Sequence, residues 1–198
     1  QNDLHRLGAP FDTYLMSDLN NPGLRQDYKL YIFLNAFYLT AAEQQAIAAL
    51  KSKGHTLLWF YAPGYVTENG LNIDAVQTLT GIGLVADAGA KQIPTMKFVT
   101  APPKNFAPLA QREYRTETYG DNSWSRLHPA AISPHFHAVE EPGVRVLARD
   151  PAGQPALVWK KFKDWNSVYC AVPYLDSMAL RALAREANCN IYTEEDVF

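Results

Sequence analysis

The stretch DYKLYIFLNAFYLTAAEQQAIAALKSKGHTLLWFYAPGY, from Asp27 to Tyr65, decides the fold. Tyr28 to Leu34 is nearly continuous apolar and aromatic, the pattern of a strand covered on both faces as in a parallel sheet. Thr40-Ala-Ala-Glu43 is a capping box: the Thr hydroxyl serves the amide of Glu43, and the Glu carboxylate reaches back to the amide of Thr40. Ala46, Ile47, Ala49 and Leu50 give the helix an apolar face of small residues fit to lie close on a sheet, and Gly54 ends it. His55 to Tyr61 reads as the next buried strand, and a helical crossover makes it parallel to the first. The stretch is one βαβ unit that runs out into the loop Tyr61-Ala-Pro-Gly-Tyr65.

Working outward, Asp3 to Leu7 followed by Gly8 looks like a helix end with a glycine cap, Phe11 to Met16 alternates like a strand, and Ser17 to Gln26 is a connecting loop. On the other side, Asn72-Ile-Asp74 can cap a short helix through Leu79, closed by Gly81. Between about residues 85 and 130 the pattern weakens around Pro94, Pro102, Pro103 and Pro108, with Thr95 to Thr100 as a strand. This reads as a β-rich insertion at one end of the sheet. Phe136 to Val139, Val144 to Ala148 and Ala156 to Lys161 read as strands, the last two a hairpin across Arg149 to Gly153. Ser167 to Val172 is a further strand. Leu175 to Ala187 is a helix capped by Asp176 or Ser177, with Met178, Leu180, Leu183, Ala184 and Ala187 inward, and Asn190-Ile-Tyr192 starts a final strand. The expected architecture is one α/β domain over residues 1–198, three-layered and flavodoxin-like, with a mostly parallel central sheet.

Composition sets limits on function. The 198 residues are 47% hydrophobic, 19% charged and 12% aromatic, which suits one well-buried core and argues against disorder. A formal net charge of -2 gives no basic field to collect phosphates, and the basic cluster Lys160-Lys161-x-Lys163 is short, so nucleic acid is not an expected partner. No apolar run approaches the roughly 18 residues needed to span a bilayer, and QNDLHRLGAP lacks the charged-then-apolar pattern of a signal peptide. The expectation is a soluble chain without a membrane partner. Cys170 and Cys189 match no metal or redox spacing and read as buried free thiols.

The loop Tyr61 to Tyr65 leaves the carboxyl end of a central strand, where open α/β sheets bind ligands. A nucleophilic enzyme would carry Ser or Cys on a strained turn there, whereas this chain has Ala62, whose side chain can neither attack nor be activated. Tyr61, Pro63, Gly64 and Tyr65, with Trp165 completing an aromatic wall, are the candidate ligand-binding residues, and a saccharide that stacks on them the candidate ligand. Trp124, in Asp121-Asn-Ser-Trp124, is a second loop tryptophan of the same kind. His135 and His137 form an H-x-H pair that a strand would point to one face, but no third metal ligand accompanies it. Glu140-Glu141 and Glu194-Glu195-Asp196 read as solvated turns, since adjacent carboxylates on a strand face apart. With no P-loop, Gly-rich dinucleotide turn or zinc spacing, no cofactor is expected.

These segments resemble the class I glutamine amidotransferase-like domains that accompany large bacterial glycoside hydrolases, including the β-galactosidase trimerisation domain of the family 42 enzymes. The resemblance rests on Leu7-Gly-Ala-Pro-Phe-Asp12 with Tyr14 to Leu19, Asp27 to Leu34, Thr40 to Gly54, Leu57 to Tyr65, Leu79-Thr-Gly81, and Trp165 through Ile191-Tyr192. It identifies the superfamily better than the individual family. In active members the corresponding strand ends in a G-x-C-x-G elbow, completed by a late His and Glu. Laid on that pattern, Phe60 replaces the first glycine, Ala62 takes the cysteine's place and Gly64 the second glycine's, and no H-x-E appears near the C-terminal end. The resemblance therefore implies the fold and argues against the activity. It also implies a fragment of a longer protein or a trimmed member, because members begin with a strand and helix before L-G-A-P-F-D and continue past the final I-Y. The expected function is a non-catalytic accessory or oligomerisation domain of a bacterial β-galactosidase-like glycoside hydrolase, whose partners are other domains or subunits of that enzyme or copies of itself. The alternatives are a carbohydrate-binding module and an enzyme using other residues of the same crevice.

Overall fold

A computed structural model of the chain describes residues 2–24, 27–89, 91–115, 117–120, 123–129 and 131–194. In chain order these form α1 (Asn2–His5), β1 (Leu30–Phe33), α2 (Ala41–Leu50), β2 (His55–Phe60), the short strands β3 (Val66–Thr67) and β4 (Gly70–Leu71), and α3 (Ile73–Thr80). There follow β5 (Leu84–Asp87), β6 (Thr95–Phe98), β7 (Glu113–Arg115), β8 (Glu117–Gly120), β9 (Ser123–Pro129) and β10 (His135–Ala138). The chain then gives β11 (Val144–Arg149), β12 (Pro155–Lys161), β13 (Trp165–Cys170) and α4 (Ser177–Glu186).

The βαβ unit forms as its sequence predicts. Thr40 Oγ1 accepts from the Glu43 amide at 3.3 Å and Glu43 Oε2 accepts from the Thr40 amide at 2.8 Å, so two of the four orphan donors of the first turn are satisfied. Ile47 and Leu50 are the buried residues of α2, whereas Ala49 of the predicted apolar face is exposed. β1 and β2 pair in parallel, with Leu30 opposite Thr56 and Phe33 opposite Trp59. All six residues of β2 are buried, and strands flank both its edges. Trp59 stacks on Phe33 at 4.4 Å and its indole N–H donates to Ser167 Oγ at 3.1 Å, which satisfies the one polar atom that the ring carries into the core.

The central sheet has seven strands in the order β1-β2-β13-β12-β11-β6-β7. It is mixed, not mostly parallel: β1–β2 and β2–β13 are parallel, and the other four pairings are antiparallel. The cause is connection length. Residues 150–154 and 162–164 are too few for a crossover, which needs a dozen or more residues, so β11, β12 and β13 must run as hairpins. β6 and β7 extend the far edge of the sheet, while β5 with β10 and β8 with β9 form separate two-stranded ladders. The α/β class stands, and the weak stretch holds β5, β7, β8 and β9 besides β6, which covers Thr95 to Phe98 of the predicted Thr95 to Thr100.

Three other expectations are corrected. Phe11 to Leu15 pairs with no strand among the described residues, and the chain turns into a 3-10 helix at Met16–Asn20. Asn190 to Tyr192 forms no strand; the Tyr192 amide instead donates to Gly8 O at 2.8 Å. Met178 is 38% exposed, and α4 turns Arg181 inward, where its guanidinium donates to the backbone oxygens of Arg6 and Leu7. Asp176 is the α4 cap, accepting from the Ala179 amide at 2.9 Å. Glu195, Asp196, Asp121 and Asn122 lie outside the described residues, as does the side chain of Trp124. Among the described residues no helix is long and apolar enough to cross a membrane.

Candidate functional site at the carboxyl end of the parallel strands

The loop after β2 is built by three backbone contacts. The Tyr61 amide donates to Cys170 O at 2.8 Å, the Gly64 amide to Ala36 O at 2.7 Å and the Val66 amide to Phe37 O at 2.9 Å, zipping the loop to β13 and to the segment after β1. Gly64 sits at φ +67°, and a Cβ there would lie 3.2 Å from Leu79 Cδ2, so both conformation and space call for glycine. Tyr61 is also left-handed, at φ +60°, without being glycine. It is therefore Tyr61, one residue before Ala62, that holds the strained position of the turn. Ala62 is 5% exposed, with its methyl in the core.

Tyr61 is held on all sides. Its hydroxyl donates to Pro134 O at 2.7 Å, its own carbonyl accepts from the Tyr169 hydroxyl at 2.6 Å, and its ring meets Phe136 edge-to-face at 5.0 Å. Burial, helped by Tyr65, pushes its phenol up to about 12, so near neutral pH it is a proton donor and not a nucleophile. Tyr65 contacts the same Phe136 at 5.1 Å, and Phe37 approaches Tyr61 at 6.2 Å. The loop aromatics thus form one ladder in which ring edges meet ring faces, centred on the buried Phe136.

Trp165 is not part of this group. It opens β13 opposite His55, while Cys170 at the other end of that strand is opposite Phe60, so five residues of strand, about 16 Å, separate it from the loop. At the opposite sheet end it stacks on Phe162 at 4.4 Å beneath Lys51 Nζ, 5.1 Å from its ring. The structure thus brings Tyr61, Pro63, Gly64 and Tyr65 together and leaves Trp165 apart.

One polar pair belongs to the same end of the sheet. The start of β12 joins the end of β13, since the Ala171 amide donates to Ala156 O at 2.7 Å, and the turn before β12 carries Asp150. Asp150 Oδ2 lies 3.2 Å from His135 Nε2, its other oxygen accepts from the Gln154 amide at 2.8 Å, and the two side chains are 5% and 12% exposed. His135 Nδ1 is buried without a hydrogen-bond partner among the described residues. His137 shares the half-buried face of β10 with His135, and no group of three metal-ligating side chains occurs among the described residues. Asp150 was hidden in the sequence because R-D-P-A-G signals only a turn, and Phe136 because its flanking histidines draw the reading of H-F-H. The alternation of β10 is the signal that places Phe136 inward.

The acidic residues are anchors, not a catalytic pair. Glu140 pairs with Arg149 at 2.5 Å, and Glu141 with Lys160 at 2.6 Å. Lys160 Nζ also donates to Gly81 O at 2.7 Å, which ties β12 to the end of α3. Glu194 pairs with Arg185 of α4.

No protein-family model matches the chain, and no curated protein sequence matches it. Solved structures do share its fold. A β-galactosidase from Bacillus circulans sp. alkalophilus superposes with a TM-score of 0.56 at 18% identity, covering 83% of this chain and 23% of its own. A catalytic mutant of a GH42 β-galactosidase from G. stearothermophilus gives 0.58 at 13% identity, covering 93% and 24%. A ThuA-like protein from Bacteroides uniformis gives 0.50 at 15% identity, covering 80% and 67%. The chain spans about a quarter of the length of the β-galactosidases it matches, and at these identities the likeness is one of fold.

Proposed function

We propose that this chain is a non-catalytic accessory or oligomerisation domain of a bacterial glycoside hydrolase of the β-galactosidase type. The observation that carries the reading is an elbow without a nucleophile. The strained residue is Tyr61, whose phenol is bonded to Pro134 O and raised by burial, and the next residue is the buried Ala62. Covalent catalysis needs an activated side chain at such a turn, and none is there. The fold shared with segments of β-galactosidases supports the choice of parent enzyme. Purified chain assayed for glutamine hydrolysis and for nitrophenyl-galactoside cleavage should give rates equal to buffer. Turnover that disappears on Tyr61→Phe or on His135→Ala would replace this reading with an enzyme centred on the same crevice.

A second reading, saccharide binding at the Tyr61–Tyr65 loop, is favoured by Phe37 and Tyr38, which stand 37% and 48% exposed beside it. Calorimetric titration with galactosides and plant oligosaccharides separates the two, because the accessory reading expects no heat from free sugar.

A further inference from the structure

The end of the sheet opposite the elbow gathers charge of one sign. Two turns meet there: Lys51 to Gly54, between α2 and β2, and Phe162 to Asp164, between β12 and β13. They are zipped together by the Gly54 amide, which donates to Asp164 O at 2.7 Å, and by the pairing of Trp165 with His55. These turns and the adjoining end of β12 carry five of the chain's nine lysines, Lys51, Lys53, Lys160, Lys161 and Lys163, and no arginine. Lys160 is paired with Glu141 at 2.6 Å. The other four make no ion pair among the described residues, and neither does Asp164, the one carboxylate in either turn. On a chain of formal net charge -2, this end is therefore a local basic field on a surface that is acidic on balance.

Lys53, Lys161 and Lys163 are exposed, and solvation alone accounts for them. Lys51 is different. It is half-buried, its Nζ lies 5.1 Å from the centre of the Trp165 ring, and its hydrogen bond to Thr78 O is long, at 3.5 Å. The Trp165 ring is backed by Phe162, stacked at 4.4 Å, and Phe162 lies against Gly81, so the platform beneath the ammonium is fixed. Burial holds the Lys51 amine below the usual lysine range: water has been withdrawn from the cation and no carboxylate given in exchange.

We infer that this end of the sheet docks an acidic peptide segment of a partner protein, with one carboxylate seated on Lys51 beside Trp165 and others answering Lys53, Lys161 and Lys163. Lysine ammoniums are compact point charges on flexible stems, and four of them spread over two turns match carboxylates spread along a chain. Without an arginine fork, nothing here grips a single phosphate or sulfate bidentately. A duplex presents a continuous run of phosphates, which four lysines on a net-negative chain do not offset. The exposed lysines draw the segment in, and the carboxylate on Lys51 fixes its register. Such docking requires neither catalysis nor a glycoside hydrolase parent, so it stands apart from the proposed function.

The test titrates rhodamine-labelled hexaglutamate with the full chain and follows fluorescence anisotropy. Saturable binding is expected in about 20 mM salt, weakened at least about tenfold in about 300 mM salt. Lys53→Glu with Lys163→Glu should cost at least about tenfold, whereas Lys91→Glu with Lys97→Glu, an equal charge change at exposed lysines outside these turns, should cost less than about threefold. Lys51→Met keeps the apolar stem over Trp165 and removes the ammonium, and a loss of at least about threefold is expected. Acetylation by an activated ester, mapped by mass spectrometry on the wild-type chain, needs no variant and decides the matter if Lys51→Met fails to fold. On saturation with hexaglutamate, Lys51, Lys53 and Lys163 should react more slowly, with Lys91 and Lys97 unchanged. Absence of saturable binding up to about 1 mM chain, equal losses from the two charge-reversal pairs, no protection at Lys51, or a short DNA duplex bound as tightly as hexaglutamate would each overturn the proposal.

Discussion

Gly81 joins two parts of the molecule that are distant in sequence. It ends α3 at φ +69°, and a Cβ there would fall 2.6 Å from Phe162 Cζ, the ring that stacks on Trp165. Gly81→Ala therefore meets both a conformational and a steric penalty, and a loss of about 1–3 kcal/mol in urea unfolding is expected; an unchanged midpoint would show that Phe162 gives way freely. This residue was legible, because T-G-I-G after a capped helix is a stop signal. Tyr61 was not, since a tyrosine at positive φ has no sequence signature and is held there by Pro134, Tyr169, Cys170 and Phe136 from remote segments. The cysteines make a second residue-scale case. Burial pushes the Cys170 thiol up to about 12, and its Sγ lies 3.0 Å from Val172 O, whereas Cys189 is half-buried. Iodoacetamide followed by peptide mass spectrometry should label Cys189 first and Cys170 only with global unfolding. Early labelling of Cys170 would mean that β13 opens locally.

At the scale of elements, the sequence revealed individual strands and helices better than it revealed their neighbours. The capping box of α2, the Asn72 cap of α3 and the Asp176 cap of α4 all sit where the residues put them, because caps are local hydrogen bonds. Strand partners are not local, which is why Phe11 to Met16 alternates like a strand yet has no strand partner among the described residues. The Lys160–Glu141 contact shows how two elements are joined through chemistry that no motif announces. Lys160 Nζ bonds both Glu141 and the carbonyl of Gly81, the residue that caps α3, and the hydrogen bond from Lys160 holds the Glu141 carboxyl below the usual glutamate range. A depressed folded value means that the unfolded chain binds the proton more readily, so this contribution is fully present above the ordinary value of about 4.3 and is lost as pH falls through the folded value. Glu141 is 34% exposed, and solvent screening limits the effect to a few tenths of a kcal/mol. Glu141→Gln should thus lower the urea midpoint slightly at about pH 7 and converge on wild type as pH falls below the folded value of Glu141. Parallel pH curves for the two proteins would remove Glu141 as a source of acid sensitivity.

For the whole molecule, the decisive feature is where apolar surface remains. Tyr38, Val66 and Leu71 are 48%, 40% and 67% exposed, and they adjoin one another: Tyr38 bridges Val66, and Val66 stands opposite Leu71. Leu34, 54% exposed, leaves β1 toward the same end of the sheet. None of this could be read from composition, since isolated exposed apolar residues are ordinary and only their gathering around the elbow sets this end apart. With a formal net charge of -2, little long-range repulsion opposes contact between copies. If the oligomerisation branch of the proposed function holds, sedimentation velocity over a concentration series should show reversible self-association that persists in high salt, because the contact is hydrophobic and not ionic. The double variant Tyr38→Ser with Leu71→Lys should then sediment as a monomer with its thermal midpoint within a few degrees of wild type, both side chains lying outside the core. A wild-type chain that stays monomeric throughout the series would leave this edge for a different domain of the parent enzyme, and association unaffected by the double variant would place the contact on another face.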